Sequence, residues 1–294
     1  MKFHHYSNLF LKIGYPSWKP ATRYKYENIT KKINAVFKNR EIETIKVSEV
    51  KLYLSTLSQT LTYKTIKDYK SVLNQIFDLA KFDEVISKNP THYIKPKPPT
   101  KPIIKPFNDV EVKSILKLAK KKDERFYLYL CIAFYTGMRT GEILALKFNL
   151  IDYEKRVIYI KSTRGQFGEH SPKTVGSIRS VPIFDDLYNV LENYKIYNKS
   201  KDYIFKTQYD KPYTGSRALI KYYWQPILKK LNLEFRNLYT TRHTFATNIL
   251  KKGILTPHEL AHILGHNTTE MVFNRYVKFL ANQNDNFKRD VSIY

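Results

Sequence analysis

The chain of 294 residues is 43% hydrophobic and 15% aromatic, enough to build ordinary cores in two domains and too apolar for a disordered tail. Lys and Arg number 51 against 26 Asp and Glu, a formal net charge of +25 spread along the chain, which points to a polyanionic partner, nucleic acid before a membrane surface. The longest apolar run, 126–135, is too short to span a bilayer, and the single cysteine within it, Cys131, excludes an internal disulfide and suits a small buried hydrophobe in a reducing compartment.

The N-terminal stretch MKFHHYSNLFLKIGYPSWK has no sustained apolar core and no small-residue cleavage site, so no secretion signal is read and a cytoplasmic location is expected. From residue 22 to about 88, apolar side chains recur at helical spacing. Tyr26, Ile29, Ile33, Val36 and Phe37 form one stripe, and Ile66, Tyr69, Leu73, Ile76, Phe77 and Ala80 another, which predicts two or more amphipathic helices around a small core. Lys64, Lys67 and Lys70 stand beside the second stripe, either as a phosphate-facing edge or as a solvated lysine face. Residues 89–106 carry prolines at 90, 96, 98, 99, 102 and 106 and four lysines, Lys95 and Lys97 among them, with no acid. Proline removes backbone donors, so an extended linker that tracks a phosphate backbone is expected, with domains at 1–88 and 107–294 on either side.

Asn108 with Glu111 has the form of a capping box and opens a helix through Val112, Ile115, Leu116 and Leu118. A second helix is expected over 125–135, ended by Gly137, which turns Arg139 toward the interior. Glu142 begins the next helix as a structural partner for a neighbouring cation. Segments 156–161 and 180–184 read as strands, with the turn-rich GQFGEHSPKTVG between them. Beyond residue 185 the chain is mostly helical. Thr256, Pro257 and Glu259 supply an N-cap, a first-turn proline and a capping acid, giving a short helix that stops at Gly265 with His266 on the turn beyond. The expected class is mainly α with a small β-sheet (α+β).

His258-Glu259-Leu260-Ala261-His262 is a literal H-E-x-x-H, the helix signature of zinc proteases. The cap and proline place His258 in the first turn of a two-turn helix, and Glu259 is accounted for by the cap. A metal would also leave Arg139, Arg242, Tyr276 and the net charge unexplained, so neither metal nor cofactor is expected.

The stretch 239–276 brings an arginine, histidines and a late tyrosine into one short helical region. A guanidinium fork grips phosphate oxygens, and a histidine holds or moves the proton of an attacking hydroxyl. Arg242-His243-Thr244-Phe245-Ala246-Thr247, then Leu264-Gly265-His266, then Tyr276, resemble the C-terminal signature of the tyrosine recombinase (phage integrase) family. Thr136-Gly137-Met138-Arg139-Thr140-Gly141-Glu142-Ile143-Leu144-Ala145-Leu146 resembles that family's other arginine box.

The resemblance implies a helical core-binding (SAM-like) domain followed by a catalytic domain that cuts and rejoins DNA without metal or ATP. In it Arg139 and Arg242 would clamp the scissile phosphate and Tyr276 would attack phosphorus, becoming joined to the 3′ end. His266 would position or accept the tyrosine proton. Lys173, in the run Pro172-Lys173-Thr174, would protonate the departing 5′ oxygen, with Lys161 and Arg164 as rivals; Glu142 and His243 would be structural support. The implied partners are double-stranded DNA core sites, a homotetramer on paired sites and an accessory DNA-bending or directionality factor, with no membrane. The tail after Tyr276 is expected to dock on a neighbouring protomer, and little room precedes residue 22 for a separate arm-binding domain.

Two departures stand out. The family commonly has histidine three residues before its second arginine; here Tyr239 occupies that place and is expected to hold a phosphate oxygen. The interval from His266 to Tyr276 is one residue longer than in many members. The expected function is site-specific recombination for a phage or mobile element. The alternatives are an inactive DNA-binding protein of the same fold, a Xer-type chromosome-dimer resolvase and a type IB topoisomerase.

Overall fold

A computed structural model describes residues 1–95, 98, 105–171, 175–197, 202–266, 268–273 and 276. The chain divides into two compact units, Met1–Pro102 and Ile103–Tyr294.

The first unit packs helices α1 (Phe3–Gly14), α2 (Pro20–Phe37), α3 (Val47–Ser58) and α4 (Tyr63–Phe82). Helix α4 is its axis: Ile66, Tyr69, Leu73, Ile76, Phe77 and Ala80 are all buried, as their helical spacing predicts. Helix α1 lies outside the stretch expected to be helical. Its Phe3, Tyr6 and Phe10 recur at helical spacing and are buried, Phe3 lying edge-on to Phe77 at 5.7 Å between ring centroids. In α2 the buried arc follows Ile29, Ile33 and Phe37, which leaves Val36 54% exposed, a correction to the expected stripe. Lys64, Lys67 and Lys95 are exposed and Lys70 is half-buried; Lys97 lies outside the described residues.

The second unit is built around α6 (Glu124–Thr136), apolar on nearly every side and buried from Leu128 through Phe134. Cys131 sits there fully buried, its thiol pushed up to about 12 by burial. Helix α5 (Asp109–Lys122) packs on α6 and opens with the predicted capping box, Glu111 N–H donating to Asn108 Oδ1 and Asn108 N–H to Glu111 Oε2, each at 2.8 Å. A short α7 (Thr140–Leu144) follows.

Strands β1 (Ile151–Asp152), β2 (Val157–Ile160) and β5 (Arg179–Pro182) form an antiparallel sheet in the order β1-β2-β5. Arg179 lies opposite Ile160 and Val181 opposite Ile158, so strand alternation puts Arg179 on the core face with them. Strand β5 therefore begins one residue earlier than expected, and that residue is a charged one facing inward. A separate hairpin, β3 (Thr163–Gly165) and β4 (Gly168–His170), occupies part of the segment read as turns. The glycines that gave that reading flank its two-residue connection and pair with each other.

Helix α8 (Asp185–Tyr197) comes next, and α9 (Arg217–Leu219) runs through a π-helical turn, Ile220–Trp224, into α10 (Gln225–Lys230). The turn seats Trp224 in the core, its indole N–H on the Arg236 carbonyl at 2.7 Å. Helices α11 (Thr240–Lys251), α12 (Pro257–Leu264) and α13 (Glu270–Val272) complete the described part. Among the described residues no helix is long and apolar enough to cross a membrane.

Candidate active site

Helix α11 is buried along most of its length although its first turns read Thr-Thr-Arg-His-Thr. Two of its threonines are satisfied by backbone groups: Thr241 and Thr244 donate to the Leu238 and Thr240 carbonyls, and Thr244 Oγ1 also accepts the Phe107 N–H at 3.0 Å. Arg242 and His243, adjacent in the chain, meet two different sets of partners.

Arg242 is fully buried. Its Nη1 donates to the Gly137 carbonyl at 2.8 Å, and its Nη2 to the Leu264 carbonyl at 2.6 Å and towards His266 Nε2 at 3.0 Å. Both carbonyls belong to helix ends closed by a left-handed glycine, Gly137 after α6 (φ 64°) and Gly265 after α12 (φ 65°). Such ends present free carbonyls and the negative pole of the helix dipole, a fitting seat for a cation. Burial lowers the Arg242 pKa to about 10, which leaves it charged at neutral pH. A guanidinium is only a donor, so in this contact the half-buried His266 offers Nε2 as the acceptor.

Two further arginines converge on the same helix end. Arg179 Nε donates to the Ile263 carbonyl and Arg139 Nη2 to the Gly265 carbonyl at 3.3 Å. Ile263, Leu264 and Gly265 thus give three successive carbonyls to three different guanidiniums. One carboxylate balances them. Glu142, 4% exposed, accepts from the backbone N–H and Nη1 of Arg139, each at 2.8 Å, and from Nη1 and Nη2 of Arg179 at 3.1 and 3.0 Å. Burial alone would raise the Glu142 pKa; the hydrogen bonds and charges of Arg179 and Arg139 together outweigh it and hold it below the ordinary carboxylate value. Among the described residues, three guanidiniums against one carboxylate leave a local excess of positive charge. Arg139, 35% exposed, is the edge of that cluster open to an incoming anion.

His243 faces the other way. Its Nδ1 is 2.8 Å from the hydroxyl of Tyr276, both side chains buried, and Tyr239 packs edge-on against its ring at 5.1 Å. Arg139, Arg242 and His266 are therefore brought together, Tyr276 contacts His243, the neighbour of Arg242 in the chain, and Tyr239, 37% exposed, packs against His243. Glu142 is the expected partner of a cation, but at the third position of α7 instead of its start, and with a partner the sequence reading missed, Arg179.

Lys173 lies outside the described residues. Of its rivals, Lys161 is exposed, whereas Arg164 is spent on the Tyr213 carbonyl at 2.9 Å and the Tyr203 hydroxyl at 3.0 Å. The H-E-x-x-H run is a helix start: Thr256 Oγ1 accepts the Glu259 N–H, and Glu259 Oε2 accepts the Thr256 N–H and hydroxyl, each at 2.8 Å. Among the described residues no cluster of histidine, cysteine and acidic side chains is arranged to hold a metal.

The pattern of the phage integrase family matches residues 106–283, more than half of the chain. A XerC-like tyrosine recombinase of Caldanaerobacter subterraneus subsp. tengcongensis is 28% identical over 309 residues, covering 92% of this chain and 77% of that protein. The ICEBs1 integrase of Bacillus subtilis is 32% identical over 172 residues, 57% of this chain and 47% of its own, so this chain spans about half the length of that relative. Among solved structures, the Tn1549 transposon integrase in complex with a circular intermediate DNA aligns at a TM-score of 0.79 with 22% identity, over 95% of this chain and 99% of that one. A lambda integrase tetramer bound to a Holliday junction aligns at 0.75 with 18% identity, over 92% and 78%. At such identities the likeness is one of fold. By its family pattern, its curated relatives and the fold that carries its arginine boxes, the chain belongs to the phage integrase family, the tyrosine recombinases.

Proposed function

We propose that the chain integrates or excises a mobile element by cutting and rejoining DNA through a 3′-phosphotyrosyl bond to Tyr276. The observation that carries this reading is the convergence of Arg139, Arg242 and His266 on the end of α12, with Tyr276 tied to the residue after Arg242. The scissile phosphate meets Arg139 first and engages Arg242 as the site opens around it, offsetting charge in the pentacovalent transition state. Tyr239 adds a phenolic donor to a phosphate oxygen. Lys173, or Lys161 in its place, protonates the leaving 5′ oxygen. The phosphotyrosine conserves the bond energy, so a 5′ hydroxyl of another strand reverses the step without ATP or metal. The exposed Lys64, Lys67 and Lys95, with Lys70 and Lys97, contact the phosphate backbone.

Four protomers act on two core sites, a reading supported by the lambda tetramer on a Holliday junction. The names of the ICEBs1 and Tn1549 relatives favour a mobile element; that of the XerC-like relative supports dimer resolution as the second reading.

The test is a nicked suicide duplex made from the DNA flanking the gene. A denaturation-resistant adduct whose modified peptide contains Tyr276, absent from Tyr276→Phe, is the expected result. Tight, salt-sensitive binding with no adduct would make the chain a non-catalytic binder. Truncation after Tyr276 is expected to spare the adduct and reduce complete recombination, because the tail docks on a neighbouring protomer.

A further inference from the structure

We infer that His243 is a catalytic residue of this chain, taking the phenolic proton of Tyr276 on its Nδ1, with Tyr239 as the positioning residue that fixes the imidazole plane. The inference rests on the nucleophile proposed above. Three observations carry it. His243 Nδ1 lies 2.8 Å from the Tyr276 hydroxyl, hydrogen-bonding distance to the atom that would attack phosphorus, and both side chains are buried. The rival base, His266, has its Nε2 lone pair committed to Arg242 Nη2 at 3.0 Å, so by that nitrogen it can receive a proton only after releasing the arginine. Tyr239, one helical turn before His243, packs edge-on to the imidazole at an interplanar angle of 80°. An imidazole is the side chain best suited to take up a proton near neutral pH.

The step balances without a further reactant. The Tyr276 O–H proton moves to Nδ1 as the Oη–P bond forms and the bond from phosphorus to the 5′ oxygen breaks. The departing oxygen takes its proton from the separate acid, Lys173 or its rival. His243, now the imidazolium, returns its proton to Oη when a 5′ hydroxyl, giving up its own proton to the acid deprotonated in the first step, displaces the tyrosine. The reaction needs the His243 tautomer with the proton on Nε2, so that Nδ1 accepts.

The test is the rate of covalent adduct formation on the nicked suicide duplex as a function of pH, for the full chain and His243→Asn, whose amide oxygen keeps an acceptor near the place of Nδ1 without titrating. The wild type is expected to gain rate through the histidine range, near about pH 6.5. His243→Asn is expected to be slower by roughly a hundredfold or more and to lose that limb. His243→Ala should be partly rescued by added imidazole, which a purely packing role would not allow. Nitrogen-15 NMR of the wild-type imidazoles gives a readout free of folding defects: one neutral ring with unprotonated Nδ1 should shift in Tyr276→Phe.

A folded His243→Asn within about threefold of wild type, with the same pH profile, would overturn the assignment. So would faster adduct formation in His243→Ala, which would make His243 a latch on the tyrosine. Absence of any Tyr276 adduct in the wild type would instead sink the strand-transfer reading itself.

Discussion

Replacing Glu142 by Gln tests whether the arginine cluster depends on one carboxylate. Glutamine keeps a single acceptor oxygen and turns an amide N–H₂ toward guanidinium donors, so at least one of the Arg179 hydrogen bonds becomes a donor–donor contact. The Arg179 side chain is 1% exposed and Glu142 4%, and removing one partner of a buried pair costs about 3–5 kcal/mol because the other charge is left uncompensated. The Arg139 arm adds little, since that side chain is 35% exposed and screened by solvent. For a unit of this size each kcal/mol moves Tm by about 2–4 °C, so a fall of roughly 6–20 °C is expected.

Trp18 and Trp224 are the two tryptophans of the chain, one in each unit, so a Trp18→Phe background leaves Trp224 fluorescence to report the unit carrying the site. The pH dependence follows from the depressed Glu142 pKa. Its contribution is complete above the unfolded carboxylate value of about 4.3 and is lost as pH falls toward the lower folded value. The gap between wild type and Glu142→Gln should therefore narrow on acidification below about pH 4.5. Adding Arg179→Met to the variant should recover part of the loss, since no buried charge then stands alone. A loss under about 1 kcal/mol at pH 7 would refute the reasoning and leave the pair as no more than a geometric neighbour.

Gly137→Ala should cost about 2–5 kcal/mol in urea unfolding, because the backbone is left-handed and a Cβ would lie 2.5 Å from the Phe245 ring and 2.9 Å from Leu264. Tyr239→Phe should slow adduct formation while leaving DNA affinity unchanged; equal cleavage rates would remove Tyr239 from the phosphate site. The triple change of Lys64, Lys67 and Lys70 to Gln should lower the slope of log affinity against log salt by about 0.9 for each lysine that contacts phosphate, and an unchanged slope would assign them to a solvated face. Chelation with EDTA should leave adduct formation intact, Glu259 being engaged by its own helix cap; loss of activity restored by zinc would reopen the H-E-x-x-H run.

The local devices were legible in sequence. Asn108 with Glu111 and Thr256 with Glu259 form the capping boxes their spacing predicts, and Gly137 and Gly265 end their helices in left-handed geometry, because each involves only neighbours along the chain. The α4 stripe was legible for the same reason. Pairings across the chain were not. Glu142 and Arg179 are 37 residues apart, and nothing in the spacing of either announces the other. The inward direction of Arg179 depends on the parity of a strand whose first residue was missed. The contact between His243 and Tyr276 likewise spans 33 residues, and α1 has no legible stripe because histidines and a serine interrupt its apolar positions.

The end of α12 is also a length gauge. Each residue inserted or removed between Pro257 and Gly265 would turn the last carbonyls by about 100° around the helix axis, unseating Arg179, Arg242 and Arg139 in a single event. Substitutions on its exposed face, at His258 or His262, leave that register untouched. Relatives that keep the arginine cluster are therefore expected to vary freely in what this helix displays while holding its residue count fixed, and an engineer grafting a new surface here can change letters but not the number of them.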